Sequence, residues 1–162
     1  MRDACGNAVI LRPSVLFGPD DAFIRMLAAV TRLPLVPLFG RSETRLQPVH
    51  VGDVAVAVLR AVDDPAAAGR IFELGGAGIY RYCDILRTVL TQLGRRRSLL
   101  PVPFAVWHLL AAMAAWLPSP PLTRAQVLPM RQDNVVGPGA AGFAELRITP
   151  RDFAAALSKC LR

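Results

Sequence analysis

The stretch LRPSVLFGPDD, residues 11–21, decides how the chain is read. Ile10 and Leu11 close an apolar run, Arg12-Pro13 breaks it, and Gly18-Pro19 turns the chain. That pattern is a buried strand ending in a loop. In α/β sheets, strand ends of this kind are where ligands bind. The stretch therefore reads as the middle of a nucleotide-binding sheet, yet it stands close to the first methionine.

Outward from it, the pattern alternates strands and helices. Ala8 to Leu11 is the expected strand. Asp20 or Asp21 is placed to cap a helix over Ala22 to Arg32, with Phe23, Met26, Leu27 and Val30 on one face. Leu46 to Val51 is a second strand, and Asp53 is expected to cap a helix carrying Val54, Val58, Leu59 and Val62. Asp63-Asp64-Pro65 stops that helix. Arg70 to Leu74 is a third strand, Gly75-Gly76 a turn, and Ile79 to Leu93 a helix closed by Gly94. Such alternation argues for an α/β layer with parallel pairing. After Gly94 the Pro-punctuated run is expected to be mostly helical. A last helix should run from Thr149-Pro150 to Leu161. We therefore place an α/β domain at residues 1–94 and a mostly helical lobe at 95–162. Three strands do not complete a doubly wound sheet.

The 162 residues are 53% hydrophobic and 19% charged, enough to bury a core. The basic charge is almost all arginine, with Lys159 the only lysine. It is also uneven. Residues 82–162 hold ten Lys/Arg against four acids, whereas residues 1–81 hold nine Arg against eight acids. A basic C-terminal half suits an anionic partner, or a solvated surface in an Arg-rich protein. Cys5, Cys83 and Cys160 are odd in number and far apart, which argues against a disulfide framework or a zinc site. They fit reduced thiols in a cytoplasmic setting. No continuous apolar run precedes Arg12, so no signal peptide is expected.

Several motifs were weighed for chemistry. Gly137-Pro138-Gly139-Ala140-Ala141-Gly142 matches GxGxxG, but only Val135-Val136 precede it and Pro138 removes a donor. It reads as a loop, not a dinucleotide turn. A Tyr-xxx-Lys pair is excluded, because residue 155, four before Lys159, is alanine. His50 ends a strand, so it is the better placed of the two histidines. His108 lies in an apolar helix and reads as core or interfacial. No metal site is expected. Arg95, Arg96 and Arg97 follow a helix end, where they would meet phosphates or the helix dipole. Few aromatics lie among the basic residues, so nucleic acid is not an expected partner. Phe104 to Leu117 has a single polar residue, His108, and is too short to span a bilayer. It suits a core helix, or an interfacial one with Trp107 and Trp116 near headgroups and Arg95–Arg97 beside it.

Four segments carry a resemblance. AVILRPSVLFGPDD (8–21), RLQPVHVGDVAVAVLRAVDDPAAAGRIFELGG (45–76), IYRYCDILRTVLTQLGRRR (79–97) and LTRAQVLPMRQDNVV (122–136) resemble the C-terminal half of an atypical extended short-chain dehydrogenase/reductase. The nearest group is the complex I nucleotide-binding accessory subunit, alpha-subcomplex subunit 9 type, with its bacterial relatives. The resemblance implies an α/β fold: the C-terminal part of a Rossmann-like domain, with an incomplete parallel sheet and a small helical substrate-side lobe. In that family the glycine fingerprint and the Tyr-xxx-Lys lie upstream of RPSVLFGP.

By position, Pro13 and Ser14 would line the nicotinamide end of NAD(P). Val15, Phe17, Gln47 and His50 would line a substrate pocket. Val15 stands where a sugar-nucleotide enzyme carries Asn, and Leu46 where one carries Arg, with Arg45 one step off. Gln47-Pro48 fits the complex I-like group instead.

The leading expectation is a truncated NAD(P)-binding-like protein with a structural or assembly role and no activity or cofactor alone. One alternative is half of an NAD(P)-dependent reductase or isomerase acting on an apolar, quinone-related substrate. Another is a basic membrane-surface module without nucleotide. Expected partners are a membrane surface or hydrophobic protein, and a respiratory or quinone-biosynthesis complex. The expected location is cytoplasmic, peripheral at the inner membrane.

Overall fold

A computed structural model describes residues 7–40, 42–107, 109 and 132–161. The chain forms two compact units that interleave along the sequence. One contains residues 1–24, 47–79 and 135–162, and the other residues 25–46 and 80–134. The sequence pattern instead drew a single boundary after Gly94.

The first unit is built on two parallel pairs. Strand β1 (Ile10–Pro13) pairs with β6 (Ile71–Leu74), Ile10 opposite Ile71 and Pro13 opposite Leu74. Strand β2 (Leu16–Phe17) pairs with β5 (Val49–His50). Helix α2 (Val51–Asp63) follows β5 directly. Val49, Ala57, Ala61, Phe72, Leu74, Phe143 and Leu146 form one buried cluster, with Leu11 and Val9 packed against it. Asp64 caps a short 3-10 turn, Pro65–Ala67, through Ala66 N–H. The last helix, α4 (Phe153–Cys160), is capped by Asp152. It buries Phe153 and Leu157.

In the second unit, β3 (Leu35–Phe39) pairs in parallel with β8 (Ser98–Val102). The short β4 (Arg45–Leu46) lies antiparallel to β7 (Tyr80–Arg81), which leads into α3 (Tyr82–Gln92). Helix α3 buries Tyr82, Ile85, Leu86, Val89 and Leu90 on one stripe. Gly94, at φ +63, ends it.

Several expectations change. β3 and β8 were not anticipated, and β8 stands at the start of a segment read as helical. Each carries a proline, Pro37 and Pro101. Both pairs have a single partner strand among the described residues, so each proline can sit where no ladder donor is needed. Helix α1 (Ala22–Val30) begins where expected, with the Asp21 carboxylate accepting from Phe23 and Ile24 N–H. Its buried stripe is Ile24 and Leu27, however, and Met26 faces outward.

The cap of α2 is His50, not Asp53. The helix starts at Val51, and the His50 Nδ1 accepts the Gly52 N–H at 3.0 Å. On α2, burial falls on Ala57 and Ala61, while Val58, Leu59 and Val62 are 45%, 65% and 79% exposed. Small residues let α2 approach the sheet and leave its branched residues outside. No described helix is long and apolar enough to cross a membrane.

Candidate functional site

The cofactor and substrate-pocket residues expected from the sequence lie at or near the ends of β1, β2 and β5, all in the first unit. Pro13 is exposed opposite Leu74, and the Ser14 N–H donates to the Leu74 carbonyl at 3.0 Å. The Val15 carbonyl accepts the Val49 N–H at 2.9 Å. Phe17 is fully buried, its ring edge-on to His50 at 5.3 Å and to Phe153 at 5.0 Å. Gln47 is committed at both ends of its amide. Its Nε2 donates to the Gly76 carbonyl at 2.9 Å, and its Oε1 accepts the Val136 N–H at 3.0 Å.

Two cavities separate these residues. Gln47 lines one of about 660 Å³ with Glu73, Gly75 and Val136. His50 lines another of about 720 Å³ with Pro19, Arg151, Lys159 and Cys160. Gln47 and His50 thus sit at different openings of the same unit.

Residues missed from the sequence hold His50. The Arg151 Nη1 lies 3.0 Å from His50 Nδ1, which also accepts the Gly52 N–H. Two donors on Nδ1 leave the proton of the neutral ring on Nε2. Burial pushes the His50 pKa below its usual value of 6.5, the Arg151 guanidinium lowers it further, and Asp53 opposes them. Asp53 is buried, and it accepts the Arg151 backbone N–H at 2.8 Å and the Arg151 Nε at 3.1 Å. The signal available was an Arg two residues before the last helix, which no spacing rule connects to a helix roughly a hundred residues earlier.

A dinucleotide needs N–H groups free to meet its pyrophosphate. The Gly137–Gly142 segment is a loop alongside β6, as its sequence suggested. Glu73 N–H donates to the Ala141 carbonyl at 2.8 Å, and the Glu73 carboxylate accepts the Gly137 N–H at 2.9 Å. A carboxylate already occupies that donor and would repel a phosphate. At the β5–α2 junction, His50 takes the Gly52 N–H. The Gly137 and Gly52 N–H groups are therefore both committed within the chain.

In the second unit, Arg95 is held inward. Its Nη1 donates to the Ala28 carbonyl and to Thr31 Oγ1, each at 2.9 Å. Arg96 and Arg97 are exposed. The chain is helical from Phe104 to Trp107. Trp107 Nε1 donates to the Leu38 carbonyl at 3.0 Å, and its ring lies 4.5 Å from that of Phe39. Val106 and Leu109 are the apolar side chains exposed beside it. His108, Trp116 and most of the Phe104–Leu117 segment lie outside the described residues, as does Cys5. Cys83 and Cys160 are free and half-buried, and burial raises both thiol pKa values.

The parallel β1–β6 and β2–β5 pairs, with α2 laid over them, define the class of fold: a Rossmann-like α/β arrangement. The fold matches a solved dTDP-glucose 4,6-dehydratase from Streptomyces venezuelae, determined with NAD bound, at a TM-score of 0.64 and 19% identity, over 94% of this chain and 42% of that one.

Sequence comparison points to a particular relative. The chain is 27% identical over 159 residues to NADH dehydrogenase [ubiquinone] 1 alpha subcomplex subunit 9, mitochondrial, of Arabidopsis thaliana, covering 91% of this chain and 40% of that protein. It is 29% identical over 157 residues to the mitochondrial NADH-ubiquinone oxidoreductase 40 kDa subunit of Neurospora crassa, covering 95% of this chain and 40% of that protein. The chain thus spans about two-fifths of the length of the curated relatives it matches. No protein-family model matches it.

Proposed function

We propose that this chain is the scaffold portion of an NAD(P)-binding-like protein of the complex I accessory type, with a structural or assembly role and no activity of its own. The observation that carries this reading is the edge of β1. Among the described residues β1 pairs with β6 alone. A cavity of about 430 Å³ is lined by Val9 and Leu11 of the β1 segment and by Val58, Ala61 and Val62 of α2. Parallel sheets are stable when both faces are covered and both edges continue. An open β1 edge beside the bare valines of α2 is where further strands and a helix of a doubly wound sheet would pack.

In this reading Pro13 and Ser14 meet the nicotinamide end of NAD(P) only once that layer is present, with Val15, Gln47 and His50 on the substrate side. The site in use would be a respiratory complex at the membrane periphery. There the exposed Val106 and Leu109 face a membrane or hydrophobic protein. Support comes from the curated relatives, which are by name subunits of NADH dehydrogenase [ubiquinone] and of NADH-ubiquinone oxidoreductase.

Calorimetric titration with NADH and NADPH tests the reading. The chain alone should give no saturable heat, because the candidate N–H groups at Gly52 and Gly137 are already bonded within the chain. Micromolar affinity for either nucleotide that inorganic pyrophosphate does not compete away would overturn it.

A further inference from the structure

The end of α3 gathers more positive charge than its own architecture uses. Arg95 N–H donates to the Leu90 carbonyl at 2.9 Å and Gly94 N–H to the Thr91 carbonyl at 3.1 Å. This closure, with Gly94 in the left-handed region, turns the chain back along the helix. Arg95–Arg97 are thereby brought beside Arg87, one turn before the helix end. With Thr91 and Ser98 these four arginines line a groove of about 510 Å³, and no acid lines it.

Helix-end electrostatics account for Arg95, whose Nη1 reaches the Ala28 carbonyl in the last turn of α1, but not for the exposed Arg96 and Arg97. Arg87 pairs with Asp84 at 2.8 Å, in a bridge exposed on both sides and therefore weak. Among the described residues neither Arg96 nor Arg97 pairs with a carboxylate. Arg95, Arg96 and Arg97 are held together with no carboxylate partner among the described residues, only Arg87 being paired, and a bound anion relieves their mutual repulsion.

We propose that this groove binds a phosphate group, as a free phosphate or diphosphate or as the headgroup of an anionic phospholipid. The guanidinium fork matches phosphate oxygens two at a time, and Arg is preferred to Lys where that geometry matters. Arg95, fixed on Ala28 and Thr31, holds one wall of the groove in place. Arg96 and Arg97 supply the mobile contacts. The Thr91 hydroxyl is already spent on the Arg87 carbonyl at 2.9 Å, so the arginines carry the binding. The site is independent of the scaffold reading, since it lies wholly within the second unit.

The test uses the intact chain and two probes: pyrophosphate, followed by calorimetry, and vesicles of phosphatidylglycerol in phosphatidylcholine, followed by co-sedimentation. The double variant Arg96→Gln/Arg97→Gln is compared with Arg25→Gln/Arg60→Gln, which removes the same charge elsewhere. Both pairs are exposed, and urea midpoints confirm that each variant folds. The first pair should weaken binding roughly tenfold or more, since each basic residue near an anionic surface contributes about 1 kcal/mol. The second should leave it within about twofold. Saturable pyrophosphate binding identifies a soluble phosphate ligand, and binding to vesicles alone identifies a lipid headgroup. If neither probe binds, or if both double variants weaken binding equally, the groove is not a phosphate site.

Discussion

Asp53 and Arg151 are joined twice, once through the Arg151 backbone N–H at 2.8 Å and once through its Nε at 3.1 Å. The carboxylate is buried and the guanidinium half-exposed. The pair ties the segment entering α4 to the first turn of α2, and through Nη1 it also fixes the His50 ring. Asp53→Ala should lower the unfolding free energy by about 2 kcal/mol, the range for charge-assisted hydrogen bonds. Arg151→Ala should cost about half as much, because its backbone donor survives and its exposed side chain is screened. Urea denaturation measures both, and equal, negligible losses would contradict the tie.

His50 makes stability depend on pH. Its folded pKa lies below the unfolded value of 6.5, chiefly through burial and then Arg151. A depressed histidine stabilises the fold above the unfolded pKa and loses that contribution as pH falls through the folded pKa. His50→Asn keeps a side chain able to cap α2 without titrating. The wild type should lose stability between about pH 7 and pH 5 relative to this variant. His108 is present in both proteins, so its titration cancels. Parallel stability curves would show that His50 does not bear the load.

How far the sequence reached can be judged residue by residue. The strand-loop-helix order around Pro13, the Asp21 cap, the Gly94 stop and the decoy status of Gly137–Gly142 were all legible. Each rests on local chemistry: a carboxylate before a helix, a glycine at positive φ, a proline inside a supposed phosphate turn. What local chemistry does not encode is the partner across space. Val58, Leu59 and Val62 recur at helical spacing, and that spacing led to a buried face. The packing chose Ala57 and Ala61 instead, since small residues bring the helix closer to the sheet. β3 and β8 were hidden by Pro37 and Pro101, because a strand with one pairing partner tolerates proline. Among the candidate residues, His50 was expected at a strand end and stands at the end of β5. Arg151 and Arg87 were not anticipated, because only the fold brings them to His50 and to Arg95.

The three consecutive arginines should separate on mutation. Arg95→Ala removes donors to Ala28 and Thr31. It should cost about 1–2 kcal/mol. Arg96→Ala and Arg97→Ala, both exposed, should stay within about 0.5 kcal/mol of the wild type. A thermal or urea series on the three single variants checks the order. A large loss at Arg97 with none at Arg95 would reverse it.

Gly76 marks a close backbone approach. A Cβ there would run into the Pro48 carbonyl oxygen, which is main chain and unable to swing aside. Gly76→Ala should destabilise by about 3 kcal/mol or more. Gly94 has open space around its Cβ position and only the cost of a positive φ. Gly94→Ala should therefore cost about 1 kcal/mol. Equal penalties at the two sites would mean that the β5–β6 side of the first unit is looser than described.

Among the described residues β1 has one satisfied edge and one without a partner strand, and amide hydrogen exchange on the dilute chain tests most directly whether that second edge is open to a further layer. Ile10 N–H donates to the Arg70 carbonyl and Ser14 N–H to the Leu74 carbonyl, so the even positions of the strand face β6. By strand alternation, Leu11 N–H points to the other side. The account predicts slow exchange at Ile10 and Arg12, and exchange at Leu11 faster by at least about tenfold. Equal, strong protection at Ile10, Leu11 and Arg12 in the monomeric chain would show that the edge is already closed, and the scaffold reading would fall with it.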